Sequence, residues 1–247
     1  MTETLGFLDR PDGSRLAWRK VAGRGPTVVW LGGFRSDMTG TKAQVLADWA
    51  RASGRAFLRF DYFAHGASSG DFRHGTIGRW REDALAMIDA LTEGPLVLVG
   101  SSMGGWIACL AALARPERLH GLVLVAPAPD FVTKLMQPAL PREAREALTR
   151  DGVWMQPSEY DDAGYPLTRA LFEDAPRWEI LPGPVPIRAP VRILQGGADE
   201  PVPWRHALSL AEALESQDVV FTLVKDGDHR LSRPEDLARL VGAVGEF

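Results

Sequence analysis

The sequence predicts an α/β fold with a mostly parallel central sheet, flanking helices and an inserted helical lid. Three observations predict it. Short apolar runs rich in β-branched residues alternate with amphipathic stretches of about 10 to 15 residues, the pattern of right-handed βαβ units. One unit, Pro95-Leu-Val-Leu-Val-Gly-Ser-Ser-Met-Gly-Gly-Trp106, turns from strand to helix through residues that are nearly all small. The alternation then lapses from Pro127 to about Arg188, too long a stretch for a structureless loop in a compact domain.

Leu5 to Leu8 and Arg15 to Val21 read as an edge hairpin around Pro11-Asp12-Gly13. Thr27 to Leu31 is a buried-type strand that ends in Gly32-Gly33-Phe34. A helix from Thr41 to Ser53 carries Ala43, Val45, Leu46 and Trp49 on one face. Ala56 to Tyr62 is the next strand, followed by a helix from about Thr76 to Leu91. After the central unit come the strand His120 to Ala126 and the long stretch, whose helical pattern covers Phe131 to Met136 and Pro141 to Arg150. That stretch shows no strand of its own. The strand Pro190 to Leu194, the helix Trp204 to Glu215, the strand Val219 to Val224 and the helix Pro234 to Val244 complete the chain. Residues 1–128 and 189–247 are expected to form the core, and 129–188 the lid.

At 247 residues the chain can bury a full core. The net charge of −4 leaves no basic face for nucleic acid or an anionic membrane. The one cysteine, Cys109, excludes disulfides within the chain and cysteine-based zinc sites, so no metal is expected. No run approaches the roughly 20 apolar residues of a membrane span. The N-terminus reads as neither a signal peptide nor a transit segment. A cytoplasmic protein is expected.

Gly100-Ser-Ser-Met-Gly104 fits G-x-S-x-G in the strand–turn–helix context that a nucleophile requires. Small residues are needed two before and two after the serine, which selects Ser102 over Ser101. Gly66-Ala-Ser-Ser-Gly70 also fits the pattern, but no helix follows it to aim N–H groups at a developing anion. Of the five histidines, His229 alone follows the last strand, in the order Ser, Asp, His. His65 lies in a mid-chain turn, His74 is nearby, His120 is at the wrong end of its strand and His206 lies within a helix. For the acid, Asp199 in Gln195-Gly-Gly-Ala-Asp199 follows a strand. Asp130 is the rival, and Glu200 should point away. Backbone N–H groups of Phe34 and Met103 hold the positions of an oxyanion hole. The lid aromatics, Trp154 and Trp178 among them, suggest an apolar substrate pocket.

With these residues placed, the chain resembles the α/β-hydrolases. Phe34-Arg-Ser-Asp-Met-x-Gly-Thr-Lys-Ala43, Arg59-Phe-Asp-Tyr62, the nucleophile elbow Gly100-Ser-Ser-Met-Gly-Gly-Trp106, Gly152-Val-Trp-Met-x-Pro-Ser-x-Tyr160, Val202-Pro-Trp204 and Asp228-His-Arg230 resemble one subgroup. It holds the mitochondrial palmitoyl-protein thioesterases that also act as acyl-glucuronide esterases, with their bacterial relatives. The resemblance implies a serine hydrolase of acyl esters or S-acyl thioesters that needs no cofactor. Its substrate would be a small-molecule ester or thioester, or an S-acylated protein. Acyl transfer, cofactor-free lyase or perhydrolase chemistry on the same triad, or a non-catalytic binding role, are the alternatives.

Overall fold

The computed structural model describes residues 2–158 and 161–247. Eight strands form one sheet in the order β1 (Glu3–Asp9), β2 (Arg15–Val21), β4 (Arg55–Phe60), β3 (Arg24–Leu31), β5 (Leu96–Ser101), β6 (Leu119–Val125), β9 (Val191–Gly196) and β10 (Val219–Val224). β2 runs antiparallel to β1 and to β4, and the other pairings are parallel. All six residues of β5 are buried, which is why it reads as an unbroken apolar run.

Successive residues of β5 face opposite layers. Leu96 and Leu98 meet the cluster built on α2 (Ile77–Leu91) and α3 (Met103–Ala114). Val97 and Val99 meet α1 (Thr41–Ser53) and α8 (Pro234–Gly245). Helix ends follow local chemistry. The Thr76 hydroxyl accepts the Arg79 N–H to start α2, and Gly54 ends α1 at φ 71°, where a side chain would be strained. α7 (Trp204–Ala213) lies between β9 and β10 in the chain.

Between β6 and β9 the chain leaves the sheet. A wide π-helical turn, Val132–Met136, runs into α4 (Gln137–Ala139), and α5 (Arg142–Arg150) follows. The expectation that this stretch holds no strand fails. β7 (Val153–Ser158) and β8 (Asp161–Thr168) pair antiparallel into a separate two-stranded ribbon, followed by α6 (Arg169–Asp174). Pro157, Pro166 and Gly164 break the alternation that would announce these strands. A two-stranded ribbon tolerates them because each strand has an open edge. Among the described residues, no helix is long and apolar enough to cross a membrane.

Candidate active site

Ser102 sits between β5 and α3 at φ 55° and ψ −120°, a strained backbone for any residue with a side chain. Its surroundings impose that turn. The Ser102 N–H donates to the Val125 carbonyl at 2.9 Å, and the Ser102 carbonyl accepts the Ala128 N–H at 3.1 Å. The flanking glycines are steric necessities. A Cβ on Gly104 would lie 2.1 Å from the Leu31 carbonyl oxygen, and one on Gly100 would lie 2.2 Å from that of Gly104. Ser68, in the competing pattern, spends its hydroxyl on the Asp61 carbonyl and the Ala17 N–H.

Strands β5, β9 and β10 end at the same edge of the sheet, and their loops bring three side chains together. His229 Nδ1 lies 2.8 Å from Asp199 Oδ2, and His229 Nε2 lies 3.1 Å from Ser102 Oγ. With Nδ1–H donating to the carboxylate, Nε2 is left to accept the serine hydroxyl. Asp199 is buried, and its second oxygen accepts the Val202 N–H at 2.8 Å. Gln195 is fully buried beside it. Its amide donates to Asp199 Oδ2 at 3.0 Å and to the carbonyls of Gly196 and Val202. Asp130, the rival acid, lies elsewhere. It accepts the N–H groups of Ile180 and Leu181 in the lid, and burial raises its carboxyl above the usual range. His206 donates to the Pro129 carbonyl at the base of the lid.

The β3 loop runs alongside the serine: a Cβ on Gly33 would stand 3.5 Å from that of Ser102. Among the described residues, no acceptor takes the Phe34 N–H. The Met103 N–H is the first of α3, with no helical turn before it to bond. Three buried groups hold this loop. Arg35 N–H donates to His65 Nε2 at 3.1 Å, which leaves Nδ1–H to donate to the Phe63 carbonyl. Burial lowers His65 to about 4, so it stays neutral. Met38 is gripped from both sides: Asp61 accepts its N–H at 2.6 Å, and Arg59 donates to its carbonyl at 3.0 Å. Arg59 is itself fully buried in a two-pronged pair with Glu3. The Arg59-Phe-Asp motif therefore acts on the loop that carries Phe34. The Phe34 ring meets Phe72, Trp80, Phe131 and Tyr165 edge-on, joining core to lid.

Two cavities open at Ser102 and His229. One, of about 290 Å³, has Phe131, Leu135, Met136, Leu140, Trp154 and Gln156 in its wall. The other, of about 420 Å³, combines Trp30 and Phe34 with the polar side chains of Ser36, Asp37, Lys42 and Arg230. Lys42 donates to the Arg230 carbonyl, and burial lowers its amine to about 8. Trp154 lines the first of these cavities, and Trp178 lies away from it. Trp178 packs over Gly78 of α2, donates to Asp174 and lends its backbone carbonyl to the Trp106 indole N–H. It fastens the lid to the core. Tyr160, named in the motif above, lies outside the described residues.

Comparison with known proteins agrees with this geometry at the level of fold and family. The family described as "Serine aminopeptidase, S33" matches residues 26–170. Palmitoyl-protein thioesterase ABHD10, mitochondrial, of Bos taurus is 39% identical over 246 residues, covering 99% of this chain and 80% of that one. The Homo sapiens protein gives the same figures. A solved protein of Agrobacterium vitis S4 superposes with a TM-score of 0.94 at 44% identity, covering 100% of this chain and 99% of that one. Alpha/beta hydrolase domain-containing protein 10 from mouse gives 0.89 at 38%, covering 98% of this chain and 97% of that one. The chain belongs to the α/β-hydrolase superfamily of serine hydrolases, in the family of the ABHD10 palmitoyl-protein thioesterases.

Proposed function

We propose that this protein hydrolyses acyl esters or S-acyl thioesters through an acyl-enzyme on Ser102. The observation that carries the reading is the line of contacts from Ser102 Oγ through His229 to Asp199, at 3.1 and 2.8 Å, on a strained elbow. His229 takes the serine proton as Oγ attacks the acyl carbonyl, and Asp199 holds the imidazole and offsets its positive charge. The oxyanion accepts the Phe34 and Met103 N–H groups. His229 then returns its proton to the departing alcohol or thiol, and water, deprotonated by the same histidine, releases the acid. The cavity walled by Phe131, Leu135 and Met136 receives the acyl chain, and the one that holds Lys42, Asp37 and Arg230 the leaving group.

Residues 129–188 act as a lid, bound to the core through Phe34, Trp106 and Trp178. The curated relatives are called palmitoyl-protein thioesterases, and S-acyl thioesters, free or on protein, fall within the proposed substrates. A cytoplasmic location completes the reading. A reducing compartment suits a chain whose one cysteine is buried, and fractionation of the native cell checks it against the mitochondrial label of the relatives.

The test is paired hydrolysis of a short oxyester and its thioester by wild type, Ser102→Ala and His229→Gln, with fluorophosphonate labelling. Both variants should lose at least about 1,000-fold in kcat, and Ser102→Ala should lose the label. Near-wild-type turnover by Ser102→Ala would end the proposal.

A further inference from the structure

The turn that carries His229 is held differently on its two sides. Before the histidine, the chain is pinned to the end of β9. The Gly227 carbonyl accepts the Ala198 N–H at 3.0 Å, and a Cβ on Gly196 would lie 2.5 Å from the Asp228 carbonyl oxygen. After the histidine, the backbone is strained. Leu231 is buried at φ 44°, in the left-handed region that a bulky apolar residue avoids. Two contacts keep it there. Asp228 Oδ1 accepts the Leu231 N–H at 2.9 Å, and the Arg230 carbonyl accepts the Lys42 ammonium from α1.

Nothing within α1 favours a cation at Lys42. The residue stands in the first turn, where the helix dipole favours negative charge, and that turn holds no acidic residue. The side chain is half-buried, and burial disfavours its charge. Its acceptors lie at the far end of the chain, the Arg230 carbonyl and, at 3.4 Å, the Ser232 hydroxyl. Asp228 and Arg230 of the histidine loop face the ammonium, as does Asp236 of α8, which is itself paired with Arg233 and Arg239. Asp37 and His229 share the cavity wall with it.

We propose that Lys42 is a positioning residue for His229: its ammonium, donating from α1 to the Arg230 carbonyl, holds the strained turn that aims the imidazole at Ser102. This rests on the hydrolase reading above and adds a control on the same site. Without that grip, Leu231 can relax toward negative φ, which turns the backbone two residues from the histidine. His229 Nε2 and Ser102 Oγ are 3.1 Å apart, so a displacement of about 1 Å takes them out of hydrogen-bond range and costs about 100-fold in rate. The grip also depends on charge, because a charged donor makes a hydrogen bond about twice as strong as a neutral one. The amine carries its proton below about pH 8. As pH rises past that value the proton is lost, the bond to Arg230 weakens and kcat falls.

The experiment compares wild type, Lys42→Met and Lys42→Arg on a short uncharged oxyester from pH 7 to 9.5, with spontaneous hydrolysis subtracted. The rate of fluorophosphonate labelling is followed alongside. At pH 7, Lys42→Met should lose about 10- to 100-fold in kcat with KM within about three-fold, and should label more slowly in step. Wild-type kcat should fall at least about three-fold between pH 7 and 9.5. Lys42→Arg, whose guanidinium stays charged throughout, should hold kcat within about three-fold of wild type at pH 7 and show no alkaline fall. Those two profiles keep the proposal open to refutation if Lys42→Met fails to fold. A Lys42→Met enzyme that unfolds at lower urea but turns over like wild type overturns the proposal, because Lys42 then only braces the fold. An effect confined to the KM of esters whose leaving alcohol carries a carboxylate overturns it as well, because Lys42 then contacts substrate directly. So does a wild-type profile that is flat from pH 7 to 9.5. All three results leave the hydrolase reading intact. Absence of turnover by wild type, with Ser102 unlabelled by fluorophosphonate, removes the hydrolase reading and this one with it.

Discussion

His65 should make the folded protein sensitive to mild acid, and one substitution isolates the effect. The side chain is 3% exposed and accepts the Arg35 N–H through Nε2, so it has no room for a second proton there. Burial lowers it to about 4, whereas in the unfolded chain it titrates near 6.5. Between those values the unfolded chain binds a proton that the folded one does not, so stability falls as pH falls from 6.5 toward 4. Between pH 7 and pH 5 the loss from this residue is about 2 kcal/mol. Burial raises the carboxyls of Asp61, Asp83 and Asp130, and these act with the opposite sign because the folded state protonates first. The total pH profile is therefore not diagnostic, but a difference is. His65→Gln removes the titration and leaves a side chain that can accept a hydrogen bond. Urea unfolding followed by tryptophan fluorescence at pH 7, 6 and 5 should show wild type losing about 2 kcal/mol more than the variant. Parallel curves for the two proteins would refute the argument.

Two further outcomes follow from buried groups at or near the site. Gln195→Leu strips one hydrogen bond from Asp199 and leaves the carbonyls of Gly196 and Val202 without their donor. It should cost roughly 1.5–3 kcal/mol of stability and lower kcat by about 10- to 100-fold with little change in KM. Unfolding curves and steady-state kinetics check both, and unchanged kcat would deny Gln195 any hold on the acid. Burial pushes the Cys109 thiol up to about 12, so the native protein at pH 8 should not react with a chromogenic disulfide reagent. One equivalent should appear after denaturation, and rapid reaction of the folded protein would contradict its burial in α3.

Much of the core was legible because its signals are local. The β5 run, the small residues of the elbow and the apolar helix after it each answer to one constraint: a strand and a helix meeting at a turn with room for no side chains at Gly100 and Gly104. The helix Thr41–Ser53 has the same bounds in sequence and structure because Gly54 stops it in the left-handed region. The lid was less legible. Pro157, Gly164 and Pro166 interrupt β7 and β8, so no unbroken period of two announces them. Trp154 and Trp178 show why lid aromatics could not be sorted. Both are large and lie in the same stretch between β6 and β9, and only the three-dimensional path puts one against the cavity and the other over Gly78. The residues that hold the Phe34 loop were visible as the motif Arg59-Phe-Asp61, but their target, Met38, lies more than twenty residues away in the chain.

The two candidate acids make the same point about what a sequence position can decide. Asp130 and Asp199 each follow a parallel strand, β6 and β9, and those strands are neighbours that end at the same edge. Position alone allows either. What separates them is where their carboxylates point. Both oxygens of Asp130 face the backbone N–H groups of Ile180 and Leu181, so this carboxylate holds the end of the lid. Asp199 turns one oxygen to the Val202 N–H and the other to Gln195 and His229. A carboxylate has lone pairs enough for about four hydrogen bonds, so what decides is direction: at this sheet edge Asp199 is the acid with an oxygen at hydrogen-bond distance from His229.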